Sequence, residues 1–199
     1  TNGRKSLDDF AKAFYGIEDG SYDPKPYTFE DVVAALNGVV ANDWAAFLRT
    51  RLDGHGPGAP LDGLARGGWR LVYRETPSDY QKTLYGELKR NDFTYSLGIQ
   101  TGASNNIRSV QWDSPAFKAG LAPGMEVVAV NGRAADADRI AQAITAAKDP
   151  ATVVEMIVKD GDQYRTVAFD YHDGLRYPHL ERIEGTPDRL GDILTPRRR

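Results

Sequence analysis

The sequence changes character close to residue 92, and this change constrains the fold more than any other feature. Before it, apolar residues recur with the three- and four-residue spacing of helices. The clearest such stripe is formed by Val32, Val33, Leu36, Val39 and Val40. After it, short apolar runs are separated by Gly, Asn and Pro, which is typical of strands and tight turns. The sequence therefore predicts an α+β protein with an all-helical first part and a β-rich second part.

Capping patterns indicate where the helices of the first part begin. Ser6-Leu7-Asp8-Asp9 and Thr28-Phe29-Glu30-Asp31 both have the form of a capping box. Thr76-Pro77 predicts a further helix start, with Thr as the cap and Pro at the first helical position. The short run Trp69–Tyr73 is the one strand predicted among these helices. We place a domain boundary at the polar residues that end this part, Lys89-Arg90-Asn91-Asp92.

Composition excludes several classes of function. The 199 residues carry a formal net charge of -3, so no basic field favours nucleic acid or an anionic membrane. The absence of cysteine excludes disulfides, thiol nucleophiles and cysteine-bound metals. No apolar run approaches the roughly 18 residues that a membrane span needs. The opening residues Thr1–Ser6 look like a cut inside a longer protein, and the terminal arginines 197–199 are expected to be a solvated tail.

A run of turn and cap signals stands out between residues 114 and 133. Ser114-Pro115 caps and starts a short helix, Pro123-Gly124 matches a type II turn, and Asn131-Gly132 is a strong hairpin signal. Together with Ala119-Gly120-Leu121, these elements resemble the central signature of a bacterial-type PDZ domain. The resemblance covers residues 92–171 and implies a small β-barrel or sandwich with two helices.

Ser96-Leu97-Gly98-Ile99 stands where PDZ domains carry the loop that binds a peptide carboxylate. Gly98 would let consecutive N–H groups point into one hollow, which favours an anion. The resemblance implies that a peptide adds as a strand beside Ile99, Gln100 and Thr101, with Ile140 and Ile144 on the opposite wall. The alternative interpretation is that Leu97, Ile99, Ile140 and Ile144 are core residues.

Further runs are similar to the glycyl aminopeptidase family, whose members are zinc gluzincins with a thermolysin-like catalytic domain followed by a PDZ domain. Four runs resemble the end of its catalytic region: Ser6–Phe10, Tyr27–Val32, Asp43–Leu48 and Gly67–Tyr73. Tyr177–Arg182 and Gly185–Leu190 resemble its C-terminal end. The resemblance implies that residues 1–91 are the truncated end of a catalytic domain and that 172–199 form a tail packed on both domains. It also favours a bacterial periplasm or envelope.

The catalytic motif of that family is absent from this chain. A gluzincin needs H-E-x-x-H on a helix, and none of His55, His172 and His179 begins such a motif. A metal site built from His172, Asp173 and His179 lacks helical spacing, so ordinary tail histidines are the better interpretation. We therefore predict no catalytic residue, metal ligand or cofactor in the chain itself, whereas zinc is implied for a parent aminopeptidase.

The predicted function is the binding of peptide C-termini or extended segments by β-strand addition, which would position substrates for, or regulate, a parent peptidase. The partner would be a peptide or protein C-terminus, or the parent's catalytic domain, and not nucleic acid. The main alternative is a structural brace between domains, in which the tail or the helical part closes the peptide groove. Any segment lying beside Ile99-Gln100-Thr101 in the folded chain would favour the brace.

Overall fold

The chain folds into two compact units that divide between residues 60 and 61. The structure, a computed structural model, describes residues 4–55 and 58–196. The terminal arginines predicted to be solvated lie outside these residues, as do two residues of the loop after His55. Helices and antiparallel sheets are both present, which confirms the α+β prediction.

The described part of the first unit has three helices, which are α1 (Leu7–Tyr15), α2 (Phe29–Val39) and α3 (Trp44–Leu52). Both predicted capping boxes form, at Ser6 and at Thr28. In α2, the carboxylate of Asp31 accepts a hydrogen bond of 2.8 Å from the Thr28 backbone N–H, and this bond lowers the pKa of Asp31. The stripe of apolar residues noted in the sequence therefore lies on a helix whose start is fixed by its own side chains.

The second unit alternates helices and short strands. Its elements are α4 (Asp62–Arg66), β1 (Trp69–Arg74), α5 (Asp79–Glu87), β2 (Arg90–Phe93), β3 (Ile99–Gly102), β4 (Ile107–Val110), α6 (Pro115–Lys118), β5 (Glu126–Val130), β6 (Arg133–Ala134), α7 (Ala137–Ala146), β7 (Val154–Asp160), β8 (Gln163–Phe169), β9 (Tyr177–Arg182) and α8 (Arg189–Leu194). The predicted cap Ser114-Pro115 lies at the start of α6, and the predicted hairpin turn Asn131-Gly132 connects β5 to β6.

The strands of the second unit form three antiparallel sheets, ordered β1-β9, β2-β3-β4 and β6-β5-β7-β8. Across the described ranges these sheets do not close into a barrel. Of the two predicted forms, barrel or sandwich, the barrel is therefore wrong. The first 91 residues also contain β1 and the start of β2, so that part is not all-helical. Among the residues that the structure describes, β1 pairs with β9, and such long-range pairing cannot be read from local sequence patterns.

The buried apolar side chains of the described chain all lie between Phe93 and Tyr171. They form one cluster contributed by the β2-β3-β4 sheet, the β6-β5-β7-β8 sheet and α7. Residues on either side of this range, including β1, α5 and β9, have side chains that are half-buried or exposed. The packed core of the second unit therefore coincides with the part of the sequence that resembles a PDZ domain.

A set of contacts between Gly68-Trp69 and residues 182–188, which we call the clasp, fixes the C-terminal segment on β1. The Trp69 ring nitrogen donates to Asp188 Oδ1 at 2.8 Å, and the Ile183 N–H donates to the Gly68 carbonyl at 2.9 Å. The Arg182 guanidinium lies 5.3 Å from the Trp69 ring centroid and donates to the Gly68 and Thr186 carbonyls. The clasp thus joins runs of sequence that separately resembled the aminopeptidase family.

The clasp predicts a measurable shift in an acid–base equilibrium. Hydrogen bonds from the Gly191 N–H and from the Trp69 ring lower the pKa of Asp188. We expect Trp69→Phe to raise that pKa towards its ordinary value, though not fully, since the Gly191 bond remains. Stability contributed by this carboxylate is present above its unfolded pKa and is lost as pH falls through the folded pKa.

The measurement is an NMR titration of the Asp188 carboxyl carbon in the unsubstituted chain and in Trp69→Phe. Asp31 provides the control, because its pKa depends on Thr28 and should not move. An identical Asp188 titration in both proteins would mean that the clasp does not form in solution.

Candidate functional site

The predicted carboxylate-binding loop is the turn of the β2–β3 hairpin. The backbone N–H groups of Ser96 and Gly98 both donate to the Phe93 carbonyl, at 3.1 and 2.9 Å. The side chains of Leu97 and Ile99 are fully buried. In this conformation the amides of Ser96 and Gly98, two of the four in the predicted loop, are used to close the hairpin.

Gly98 has a structural reason to be glycine. Its φ is +88°, in the left-handed region that other residues adopt at a cost. A Cβ atom at this position would lie 2.1 Å from Ser114 Cβ. The Gly98 carbonyl also accepts from the Gln111 N–H at 2.7 Å, which ties the turn to the loop before α6. Close approach of two backbone segments therefore explains the glycine without a ligand.

Both edges of β3 are paired within the chain. The strand β2 lies antiparallel along one edge, with Phe93 opposite Ile99 and Asn91 opposite Thr101, and β4 lies along the other. Strand addition needs a free edge, with N–H and C=O groups that a peptide backbone can meet. The position expected for the peptide is therefore occupied by β2.

The side chains of the predicted groove residues reinforce this pairing. Gln100 donates from its amide to Asp92 Oδ2 at 3.1 Å and to Thr94 Oγ1 at 3.2 Å. Thr101 is fully buried, and its hydroxyl accepts from the Asn91 amide at 3.1 Å. Gln100 and Thr101 thus bind the neighbouring strand of the same hairpin.

Two tyrosines lie close to β2 and Asp92. Burial raises the pKa of Tyr85, on α5, to about 12, and the charge and hydrogen bonding of Asp92 add to the effect. Burial and the charge of Asp92 also raise the pKa of Tyr177, at the start of β9. The Arg90 guanidinium lies 5.4 Å from the Tyr85 ring centroid. Residues of α5 and β9 therefore surround the strand that occupies the predicted groove.

The segment between β8 and β9 lies on the hairpin turn. The Arg176 N–H donates to Ser96 Oγ at 3.1 Å, and Ser96 is buried. The Arg176 guanidinium stacks 4.4 Å from the Tyr73 ring centroid, and Tyr73 in turn lies 5.4 Å from Tyr95. The hydroxyl of the first predicted loop residue is thus used by the chain's own C-terminal segment, a contact that sequence patterns did not indicate.

Ile140 and Ile144 lie on the inner face of α7 and are fully buried in the core cluster. The helix is capped by Asp136, whose side chain accepts from the Arg139 N–H at 2.8 Å. Complete burial of this i, i+4 pair agrees with the core alternative, and a role as the wall of an open groove remains a prediction.

The two histidines of the second unit each lie within hydrogen-bond distance of a backbone carbonyl. His172 Nδ1 lies 2.6 Å from the Ala147 carbonyl, at the end of α7, and His179 Nε2 lies 2.8 Å from the Thr76 carbonyl. Within residues 4–55 and 58–196, no group of three or more His, Asp or Glu side chains is placed to hold a metal ion. In the same residues no helix has the length and apolar character to cross a membrane.

No protein-family model matches this chain, and no curated protein matches it. Among solved structures, an aminopeptidase N family protein from Idiomarina loihiensis matches 85% of the chain at 19% identity, with a TM-score of 0.53. This chain spans only 29% of the length of that protein. The predicted resemblance to an aminopeptidase is thereby confirmed at the level of the fold.

A second solved structure is the HtrA3 PDZ domain bound to a phage-derived ligand, FGRWV. The match covers 57% of this chain and 91% of the HtrA3 domain at 16% identity, with a TM-score of 0.29.

The close approach of Gly98 to Ser114 predicts an unequal effect of two glycine substitutions. We expect Gly98→Ala to lower the free energy of unfolding by roughly 2–5 kcal/mol, from left-handed strain plus overpacking. Gly124 has a similar φ of +96° but open space around it, so Gly124→Ala should cost only about 1–2 kcal/mol. Urea denaturation of both variants measures the difference.

Ser114→Gly provides the matched test, because it removes the atoms that a Cβ at Gly98 would meet. In the double variant the overpacking should disappear, leaving only the left-handed strain, whereas a Gly cap costs just a few tenths of a kcal/mol. Equal costs for Gly98→Ala with and without Ser114 would contradict the close approach.

Proposed function

We propose that this chain is a non-catalytic, PDZ-like part of a longer aminopeptidase-like protein, in which it acts as a structural brace with a closed peptide groove. The observation that carries the proposal is the pairing of both edges of β3 within the chain. The fold shared with an aminopeptidase N family protein supports the assignment of the parent.

The contacts around β2 support a closed groove. An incoming peptide would have to displace β2, and with it the side-chain bonds from Gln100 to Asp92 and from Asn91 to Thr101. It would also have to expose Phe93, which is buried in the core cluster. Burying a Phe side chain contributes about 1.5–3 kcal/mol, so displacement opposes peptide binding.

The proposal assigns the chemistry of the parent to residues outside this chain. None of the histidines here begins H-E-x-x-H, so zinc and the general base would belong to the remainder of the parent enzyme. We assign the chain no metal or cofactor of its own, and as partner we assign the rest of that enzyme.

A peptide titration tests the proposal. A small library of peptides with free C-termini, each paired with its amidated twin, is added to the ¹⁵N-labelled chain. We expect no carboxylate-dependent shifts at the amides of Leu97, Gly98 and Ile99, because the β2–β3 hairpin is already closed.

Shifts at those three amides that weaken on C-terminal amidation would overturn the closed groove and favour peptide recognition. Asp92→Ala is an informative variant, since it removes the acceptor for Gln100. If the groove can open, carboxylate-dependent shifts should be larger in Asp92→Ala than in the unsubstituted chain. If neither the unsubstituted chain nor Asp92→Ala binds the peptides, the result supports the brace.

A further inference from the structure

The outer edge of β8 is open, in contrast to both edges of β3. In the sheet β6-β5-β7-β8 this strand is the last, and its seven residues pair with β7 in an uninterrupted register. Within the described chain, no backbone hydrogen bond outside that ladder involves residues 163–169. The molecule thus has a second place where an extended segment could pair.

The turn between β7 and β8 determines which groups face outward. Asp160 pairs with Gln163 across a two-residue loop, and Gly161 at its first position has a φ of +62°. Such a loop closes on a hydrogen-bonded pair, after which bonded and non-bonded pairs alternate. The N–H and C=O groups of Tyr164, Thr166 and Ala168 therefore point away from β7, and all three residues are exposed.

The edge lacks the features by which proteins usually protect exposed strands. The strand β8 contains no proline, and its register shows no bulge. Its one charged residue is Arg165, whose guanidinium donates to the Ala119 and Gly120 carbonyls. By comparison, β2 is flanked by residues of α5 and β9, and β6 has only two residues.

Charge around the edge indicates what kind of segment fits. The outward residues in the middle of β8 are uncharged, whereas the exposed Asp160 and Asp162 lie at one end, near Lys159, whose Nζ is 5.9 Å from the Tyr164 ring centroid. Asp170 lies at the other end; its side chain is fully exposed, with His172 Nε2 3.2 Å from its Oδ1. A second copy paired antiparallel along the full strand would place Asp162 opposite Asp170, and like charges directly opposite are destabilising. A segment with an uncharged centre and basic ends is complementary.

We propose that the outer edge of β8 is a strand-addition site for an extended segment of another protein that has an uncharged, β-forming centre flanked by Lys or Arg. The site does not depend on the closed groove at β3. Its partner contributes backbone hydrogen bonds to Tyr164, Thr166 and Ala168 and ion pairs at the two acidic ends.

The test uses the ¹⁵N-labelled chain and the blocked peptide acetyl-KKTVTVKK-amide, whose termini exclude carboxylate recognition. We expect shifts at the amides of Tyr164, Thr166 and Ala168 that exceed those at Arg165 and Val167, whose N–H groups face β7. The twin acetyl-EETVTVEE-amide should bind at least about tenfold more weakly, because its charges repel the acidic ends.

Thr166→Pro removes one outward N–H without touching the β7 ladder, and proline is tolerated on such an edge. We expect this variant to weaken binding of the lysine peptide at least about tenfold, whereas Thr166→Val, which keeps the N–H, should stay within about twofold. Should Thr166→Pro unfold, a lysine peptide N-methylated on alternate residues removes the same bonds from the other side.

The proposal would be overturned if the lysine peptide caused no shifts on β8, if the shifts lacked the alternating pattern, or if both peptides bound equally. Shifts on β8 that change with dilution in the absence of peptide would also overturn it, because they would show that a second copy of the chain occupies the edge. Shifts confined to Leu97, Gly98 and Ile99 would instead refute the closed groove, so failures of the two proposals are distinguishable.

Discussion

The pairing of β2 with β3 is the interaction on which the rest of the second unit depends. It places the polar residues Asn91 and Asp92 where their side chains can bond to Thr101 and Gln100, and it buries Phe93 in the core. Because β3 also pairs with β4, the strand expected to receive a peptide is the centre of a three-stranded sheet. This pairing follows from chain connectivity, since a five-residue turn links β2 directly to β3.

Segments far apart in sequence hold that hairpin in place. The Arg176 N–H bonds to Ser96, while the clasp at Gly68 and Trp69 fixes the chain beyond β9 on β1. These contacts join the first and last strands of the second unit and bind its C-terminal segment to the hairpin turn. The open edge of β8 lies apart from them in sequence and topology, so bracing and partner binding would use different surfaces of one unit.

Local signals in the sequence predicted local structure well. Ser6, Thr28 and Ser114 cap helices as expected, and Asn131 and Gly132 both adopt positive φ in their hairpin turn. The cap of α5 was predicted at Thr76, but Ser78 caps it because Ser78 and Gln81 form a reciprocal capping box. The polar run Lys89–Asp92 was interpreted as a domain boundary, but Arg90–Asp92 form part of β2. Bonds to Thr101 and Gln100 hold the Asn91 and Asp92 side chains there, whereas Arg90 Nε is buried without a hydrogen-bond partner among the described residues. That residues 96–99 bind a carboxylate stays a prediction, and single-sequence patterns cannot reveal that the chain itself supplies the strand beside β3.

Amide hydrogen exchange at β3 tests the central claim most directly. The Gly102 N–H bonds to the Asn106 carbonyl on the β4 side, so the alternate amides of Ile99 and Thr101 face β2. The account predicts that Ile99 and Thr101 exchange as slowly as the core amides of β7, because the hairpin opens only with the unit. Rapid exchange at Ile99 and Thr101 beside slow exchange at Gln100 and Gly102 would mean an open edge, and would contradict the closed groove.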